Sequence, residues 1–349
     1  MGVALCDSLG WWMRFSAFCL TACMAAFFAP AGHAWAADCK PLQLVNSVPL
    51  EPMENDDRFT VPVQINGHAE HLMVDSGTPF TMLTMDAAKR LGLSLRGTLV
   101  SSSNVKGQTS AAQAIADTFD LGSAHAQNFN FDIFPGQLTE SGPGGLMSPT
   151  TFSRSDIDFD FGAKRFNIFS RDHCEGRVAY WPERPLAVIP MDTKSGHLNV
   201  PVTVDGRPMR AVLDTGAANT MMTDTAAWRI MGIKPGSADA PEIAESKAGP
   251  MMKYYSHQFA SLSFGGVDVQ NPKIIIMTDH MGTETHPVGG TGSRLSTEEN
   301  ARRPDLIVGM DVLRHLHIYV AYGEEKLYIT PAGTVSALPP PAQSSAAPN

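Results

Sequence analysis

Two short stretches carry side chains able to do acid–base chemistry. "MVDSGTPFTML" (Met73 to Leu83) and "AVLDTGAANTMM" (Ala211 to Met222) each place an Asp, a hydroxyl residue and a Gly at the end of an apolar run, with a Thr a few positions on. Asp75 and Asp214 are 139 positions apart (214 minus 75). Two carboxyls about 3 Å apart do not both ionise easily, so they share a proton. The ionised one takes a proton from a water held between them, and the other donates to the oxygen of an attacked carbonyl. This needs no metal, no cofactor and no covalent intermediate. Gly77 and Gly216 allow a backbone path that a side chain blocks. The hydroxyls of Ser76 and Thr215 are suited to bond backbone across the pair and lock it. Thr78 stands where the second copy has Ala217. A Thr78 hydroxyl bonded to Asp75 would favour its ionised form and leave the resting proton on Asp214.

The elements that must position these residues repeat as well. "VPVQINGHAEHLMVDSGTPFTML" (Val61 to Leu83) aligns with "VPVTVDGRPMRAVLDTGAANTMM" (Val200 to Met222) without a gap. Asn66-Gly67 and Asp205-Gly206 are two-residue hairpin turns, and apolar strands then lead to each Asp. Short helical patterns follow, "DAAKRLGL" (Asp86 to Leu93) and "TAAWRIMGI" (Thr225 to Ile233), each with a Gly at its C-terminal end. "TFDLGSAHAQNFNFDIF" (Thr118 to Phe134) resembles "SLSFGGVDVQNPKIIIM" (Ser261 to Met277), strand, Gly turn, strand. Gly145 to Phe169 aligns with Leu306 to Ile329, each ending in a hairpin, through Gly162 or Gly323. The chain therefore reads as mainly β, in two similar β-barrel-like lobes with short helices related by a pseudo-twofold axis.

The rest of the chain is divided accordingly. Residues 1–36 read as a signal peptide cut after Ala36, with Met13 an alternative initiator. An uncleaved anchor and lipidation at Cys23 are the alternatives. Residues 37–58 form an N-terminal segment, 59–170 lobe one, 171–196 a linker, 197–332 lobe two and 333–349 a Pro, Ala and Ser rich disordered tail. Asp279 to Pro304 is a long polar insert. Cys39 and Cys174 are the two cysteines outside the leader. In an oxidising compartment they are expected to form a disulfide, the alternative being two buried thiols.

The net charge of −9 and the lack of a basic patch speak against nucleic acid. His315 and His317 are expected on one strand face as structural or surface residues, and a metal role for His280 and His286 in the insert is not favoured. Asn104 to Ser110 and Ser246 to Met252 are candidate flap tips. The 18 methionines are read as core filler.

On these residues the chain resembles two-lobed, retropepsin-like or pepsin-like aspartic peptidases, specifically the secreted bacterial type, over about residues 40 to 332. Asp75-Ser76-Gly77 and Asp214-Thr215-Gly216 match the family's two Asp turns. Leu306-Ile307-Val308-Gly309 matches its second signature, which packs behind the turn. The first-lobe counterpart, Gly145-Leu146-Met147-Ser148, has Ser where Gly is expected, and Thr78-Pro79 also departs from the usual pattern. The resemblance implies an exported, periplasmic or secreted endopeptidase, monomeric, acting on an extended peptide or protein. Any membrane contact would come through the leader, if uncleaved or lipidated. A binding protein that keeps the fold without catalysis is the alternative. A glycoside hydrolase is disfavoured because its carboxylates usually sit about 5–10 Å apart on dissimilar elements.

Overall fold

The computed structural model describes residues 39–103, 108–136, 138, 142–181, 186–246, 252–278 and 304–333. The expected leader, nearly all of the insert with His280 and His286, the tail from residue 334 and the greater part of both flap tips lie outside the described residues.

Each repeat opens with a hairpin. Phe59–Ile65 pairs with His68–Val74, and Leu198–Val204 with Arg207–Leu213. Asn66, Gly67, Asp205 and Gly206 all have positive φ, between 46° and 76°. That is the mirror-image turn whose twist suits a tight hairpin. In "LNVPVTV" the alternate residues Leu198, Val200, Val202 and Val204 are buried, the period-two signature of a strand with one core face.

After the Asp turns come the strands Met82–Thr84 and Met221–Thr223 and the helices Met85–Arg90 and Asp224–Arg229. Thr84 and Thr223 cap the helices by accepting from Ala87 N and Ala226 N. The expected helical patterns thus begin one residue early in both copies. Gly92 and Gly232 end the patterns with positive φ, where glycine alone carries no Cβ penalty.

The strands form an eight-stranded sheet between Glu51 and Phe134 with Gly145–Met147 added, and a nine-stranded sheet between Leu198 and Val308. Gly145–Met147 lies between His68–Val74, to which it runs parallel, and Met82–Thr84, to which it runs antiparallel. Leu306–Val308 sits in the same way between Arg207–Leu213 and Met221–Thr223. A six-stranded sheet joins the two halves. Its order is Leu44–Pro49, Arg165–Phe169, Asp156–Asp160, Leu316–Ala321, Lys326–Pro331, Ala187–Pro190. Its two central strands come from equivalent places in the repeats and pair antiparallel, Ile157 opposite Val320 and Phe159 opposite Ile318.

The six-stranded sheet differs from its sequence pattern. "DIDFD" alternates, as if its Asp face met solvent, yet every residue of Asp156–Asp160 is buried. Polar partners make this tolerable, since a buried charge is costly unless paired and hydrogen-bonded. His173 Nε2 meets Asp156 Oδ2 at 2.7 Å, and His317 Nε2 meets Asp158 Oδ1 at 2.7 Å. Tyr180 donates to Asp158 at 2.7 Å. His317 also stacks on Trp181, ring centroids 4.0 Å apart. His315 is exposed, ahead of the strand, so the two histidines do not share one face. Cys39 and Cys174 are bonded, Cα atoms 4.8 Å apart. The bridge fastens the start of the N-terminal segment beside this sheet.

Candidate active site

The inserted strands place the two Asp turns. Asp75 N donates to Met147 O at 3.0 Å, and Asp214 N to Val308 O at 2.9 Å. The turns then lock to each other. Ser76 Oγ donates to Leu213 O (2.7 Å) and accepts from Thr215 N (3.0 Å). Thr215 Oγ1 donates to Val74 O (2.9 Å) and accepts from Ser76 N (3.1 Å). Each hydroxyl therefore reaches the backbone of the opposite lobe, and both are buried.

This lattice brings Asp75 and Asp214 together, each carboxyl against the glycine of the opposite turn. Asp75 Oδ1 also accepts from Gly77 N, and Asp214 Oδ1 from Gly216 N, both at 2.8 Å. Gly77 lies against the Asp214 carboxyl and Gly216 against that of Asp75, so that a Cβ on either would overlap the carboxyl facing it. This close approach, rather than a left-handed φ, is what demands glycine. Both Asp residues keep a partly exposed face while protein atoms crowd their other sides.

Burial raises the pKa of Asp75 well above the ordinary carboxyl value, and the charge of Asp214 raises it further. Burial also raises Asp214, with the Gly216 N–H acting against it. Each carboxyl accepts one N–H of its own turn, and two carboxyls this close titrate as a pair that shares one proton. The donor asymmetry expected from Thr78 does not form. The Thr78 hydroxyl turns away, towards Phe80 O at 3.2 Å and Met82 Sδ at 3.8 Å, and no bond to Asp75 forms.

The departure at Ser148 has a structural counterpart next to it. In the second lobe Met310 N donates to Ala217 O (2.8 Å) and Asp311 N to Ala218 O (3.1 Å). The first-lobe equivalent of Met310 is Pro149, which has no N–H. There Ser148 Oγ donates to Thr78 O (2.6 Å) and Thr150 Oγ1 to Pro79 O (2.7 Å). Hydroxyls serve the carbonyls that backbone amides serve in the other lobe. Gly309 has no room for such a side chain, being pressed against Ala217 and Asn219 backbone.

Sequence reasoning gave no role to the Thr that follows each turn and passed over Arg58 and His197. Thr81 Oγ1 accepts from Ser148 N (3.0 Å), and Thr220 Oγ1 from Gly309 N (3.2 Å). Arg58 Nη1 donates to Gly216 O at 3.2 Å, and His197 follows Gly196, which lies against Pro79 of the first turn. All four obey the offset that relates the Asp residues, and that was the available signal.

A family profile described as aspartyl protease matches residues 61–148 and 200–312, more than half of the chain. The chain belongs to the aspartyl protease family. A comparison with curated proteins returned no match. Among solved structures the chain is similar to an aspartic proteinase from Irpex lacteus, at 13% identity, with 82% of this chain and 97% of that one covered and a TM-score of 0.47.

Proposed function

We propose that this protein is an aspartic endopeptidase, with Asp75 and Asp214 sharing one proton and activating a water between them. The observation that supports this most is the contact between two carboxyls from equivalent turns, held by reciprocal hydroxyl bonds and with a glycine of the opposite turn against each. Two carboxyls this close share one proton, which is the state the chemistry needs. In the first step the ionised carboxyl accepts a proton from the water as its oxygen attacks the scissile carbonyl carbon. The protonated carboxyl gives its proton to the carbonyl oxygen, so the tetrahedral intermediate forms without net charge change.

The substrate is an extended peptide crossing the partly exposed face of the pair. A cavity of about 470 Å³ beside the first turn, lined by Pro79, Phe80, Thr81, Gln113, Asp132 and Thr150 among others, offers room for a substrate side chain. Ser148 does not favour the non-catalytic reading, because its hydroxyl donates to Thr78 O in the first turn. We further assign residues 59–170 and 197–332 to the two lobes, 171–196 to the linker and 1–36 to an export signal. The disulfide supports an oxidising location.

The test is digestion of a peptide library by the purified mature chain across pH, with and without a transition-state-like aspartic protease inhibitor. Cleavage that the inhibitor abolishes and that peaks below neutral pH is the expected result. Inhibitor binding without cleavage at any pH would instead identify a peptide-binding protein.

A further inference from the structure

Positions 58 and 197 are equivalent in the repeat. Each immediately precedes the strand that opens its hairpin, Phe59–Ile65 or Leu198–Val204. Each also lies at the Asp turn of the opposite lobe: Arg58 donates to Gly216 O, and Gly196, beside His197, lies against Pro79. Their support differs. Arg58 is gripped by Asp56, with Nε to Oδ1 at 2.8 Å and Nη2 to Oδ2 at 2.5 Å. The position equivalent to Asp56 is Ser195, whose hydroxyl accepts from Asn199 instead. His197 Nδ1 is buried and has no hydrogen-bond partner.

The charges around the imidazole come from three places. Asp214 attracts it from the second turn, and Asp75 lies across the carboxyl pair. Arg58 faces both carboxyls from the first lobe and feels both. On the loop that carries His197, Asp192 and Lys194 are exposed to solvent. Burial lowers the pKa of His197 below its ordinary value, while Asp214 and the Ser76 backbone act against that lowering.

We propose that His197 is the titratable counterpart of Arg58, a positioning residue that is neutral near neutral pH and adds a second flanking cation to the carboxyl pair on acidification. The cation then holds one carboxyl ionised to lower pH than Arg58 alone would. The proposal rests on the peptidase reading for its consequence, but the coupling itself does not. A permanent cation on one side and a conditional one on the other extend the singly protonated pair into the acid range. The extension is absent at neutral pH, where His197 carries no charge.

Two measurements on the full chain test this. In the first, ring-labelled histidine is followed by NMR through a pH titration. His197 is assigned as the signal lost in His197→Gln or His197→Asn. Its midpoint is expected below the ordinary histidine value. In the double variant Asp75→Asn with Asp214→Asn, which removes the net charge of the pair, it should fall further by roughly half to one pH unit or more, the effect of one unit charge a few ångströms away even at the dielectric constant of water, about 80. An unmoved midpoint overturns the proposal whether or not the protein cleaves anything. In the second, the acidic limb of kcat/KM should move up by a similar amount in His197→Gln and return towards its original place in His197→Lys. A limb that stays put in both variants makes His197 a packing residue only. Coupling in the first measurement without cleavage in the second counts against the peptidase reading and leaves the coupling standing.

Discussion

At the scale of the residue, the carboxyl pair is costly to the fold and useful to the chemistry. A carboxyl whose folded pKa is raised favours the folded state least when ionised. The stability it costs grows as pH rises from the ordinary carboxyl value through the raised one. Asp75→Asn removes that penalty, so the variant should melt at a higher temperature than the native chain at pH 7 while losing roughly 10³-fold or more in kcat, the range for removing a general acid or base. Asp214→Asn should lose as much activity. Cleavage above a few per cent of native in either variant, from freshly purified protein, would be incompatible with a shared pair. The native pH profile should be bell-shaped on the acid side of neutral. Activity falls at low pH as the second carboxyl takes a proton, and at high pH as the pair loses the shared one. Thr78→Val should leave both limbs unmoved, because its hydroxyl points away from Asp75.

At the scale of the element, the signature strand behind each Asp turn depends on who donates to the carbonyls of the turn. Pro149 removes an amide in the first lobe, and the Ser148 hydroxyl stands in for it. Ser148→Ala leaves Thr78 O short of its donor in a buried setting, with an expected loss of about 1–3 kcal/mol read by denaturant unfolding. Ser148→Gly should cost at least as much, although glycine is the residue found at the equivalent position, 309. If Ser148→Gly is neutral, the exchange of donors has no energetic weight. In the six-stranded sheet, burial disfavours charge on His173, but the bonds to Asp156 and to the Cys174 carbonyl outweigh it and raise its pKa. A raised histidine pKa contributes stability that is complete below the unfolded value near 6.5 and disappears as pH rises through the folded value. His173→Gln should therefore lower the melting temperature more at pH 5 than at pH 9. An equal loss at both would show that the charge on His173 contributes nothing.

At the scale of the whole molecule, the termini of the two lobes meet in one sheet, and the Cys39–Cys174 bridge ties down its edge strand Leu44–Pro49. The bridge spans 135 positions, a long loop whose closure is worth up to about 4–5 kcal/mol in the chain-entropy model. Cys39→Ser with Cys174→Ser should lower the denaturation midpoint, and the unreduced native protein should show no reactive thiol at these positions after denaturation. Two free thiols there would contradict the bridge. One buried apolar cluster runs through both repeats, and the two central strands of the shared sheet pair with each other across the lobes. Loss of the bridge is thus expected to loosen the shared sheet before the lobes, and hydrogen exchange of Leu44–Pro49 would report it.

Much of the fold and site was legible because it is local or repeated. Asn66-Gly67 and Asp205-Gly206 encode their turns through backbone preference alone. The period-two apolar runs encode strands with one core face. The offset between Asp75 and Asp214 encodes two equivalent turns, and with them a paired-carboxyl chemistry. What the sequence could not determine depends on atoms far apart along the chain. The acidic run Asp156–Asp160 reads as solvent-facing, and only packing against His173, Tyr180, Trp181 and His317 buries it. Residues 44–49 read as part of an N-terminal segment, and only the edge of a shared sheet makes them a strand. The direction of the Thr78 hydroxyl is also decided in three dimensions. A one-dimensional comparison of Thr78 with Ala217 pairs it with Asp75, whereas hydrogen bonds depend on direction and the hydroxyl faces Phe80 O.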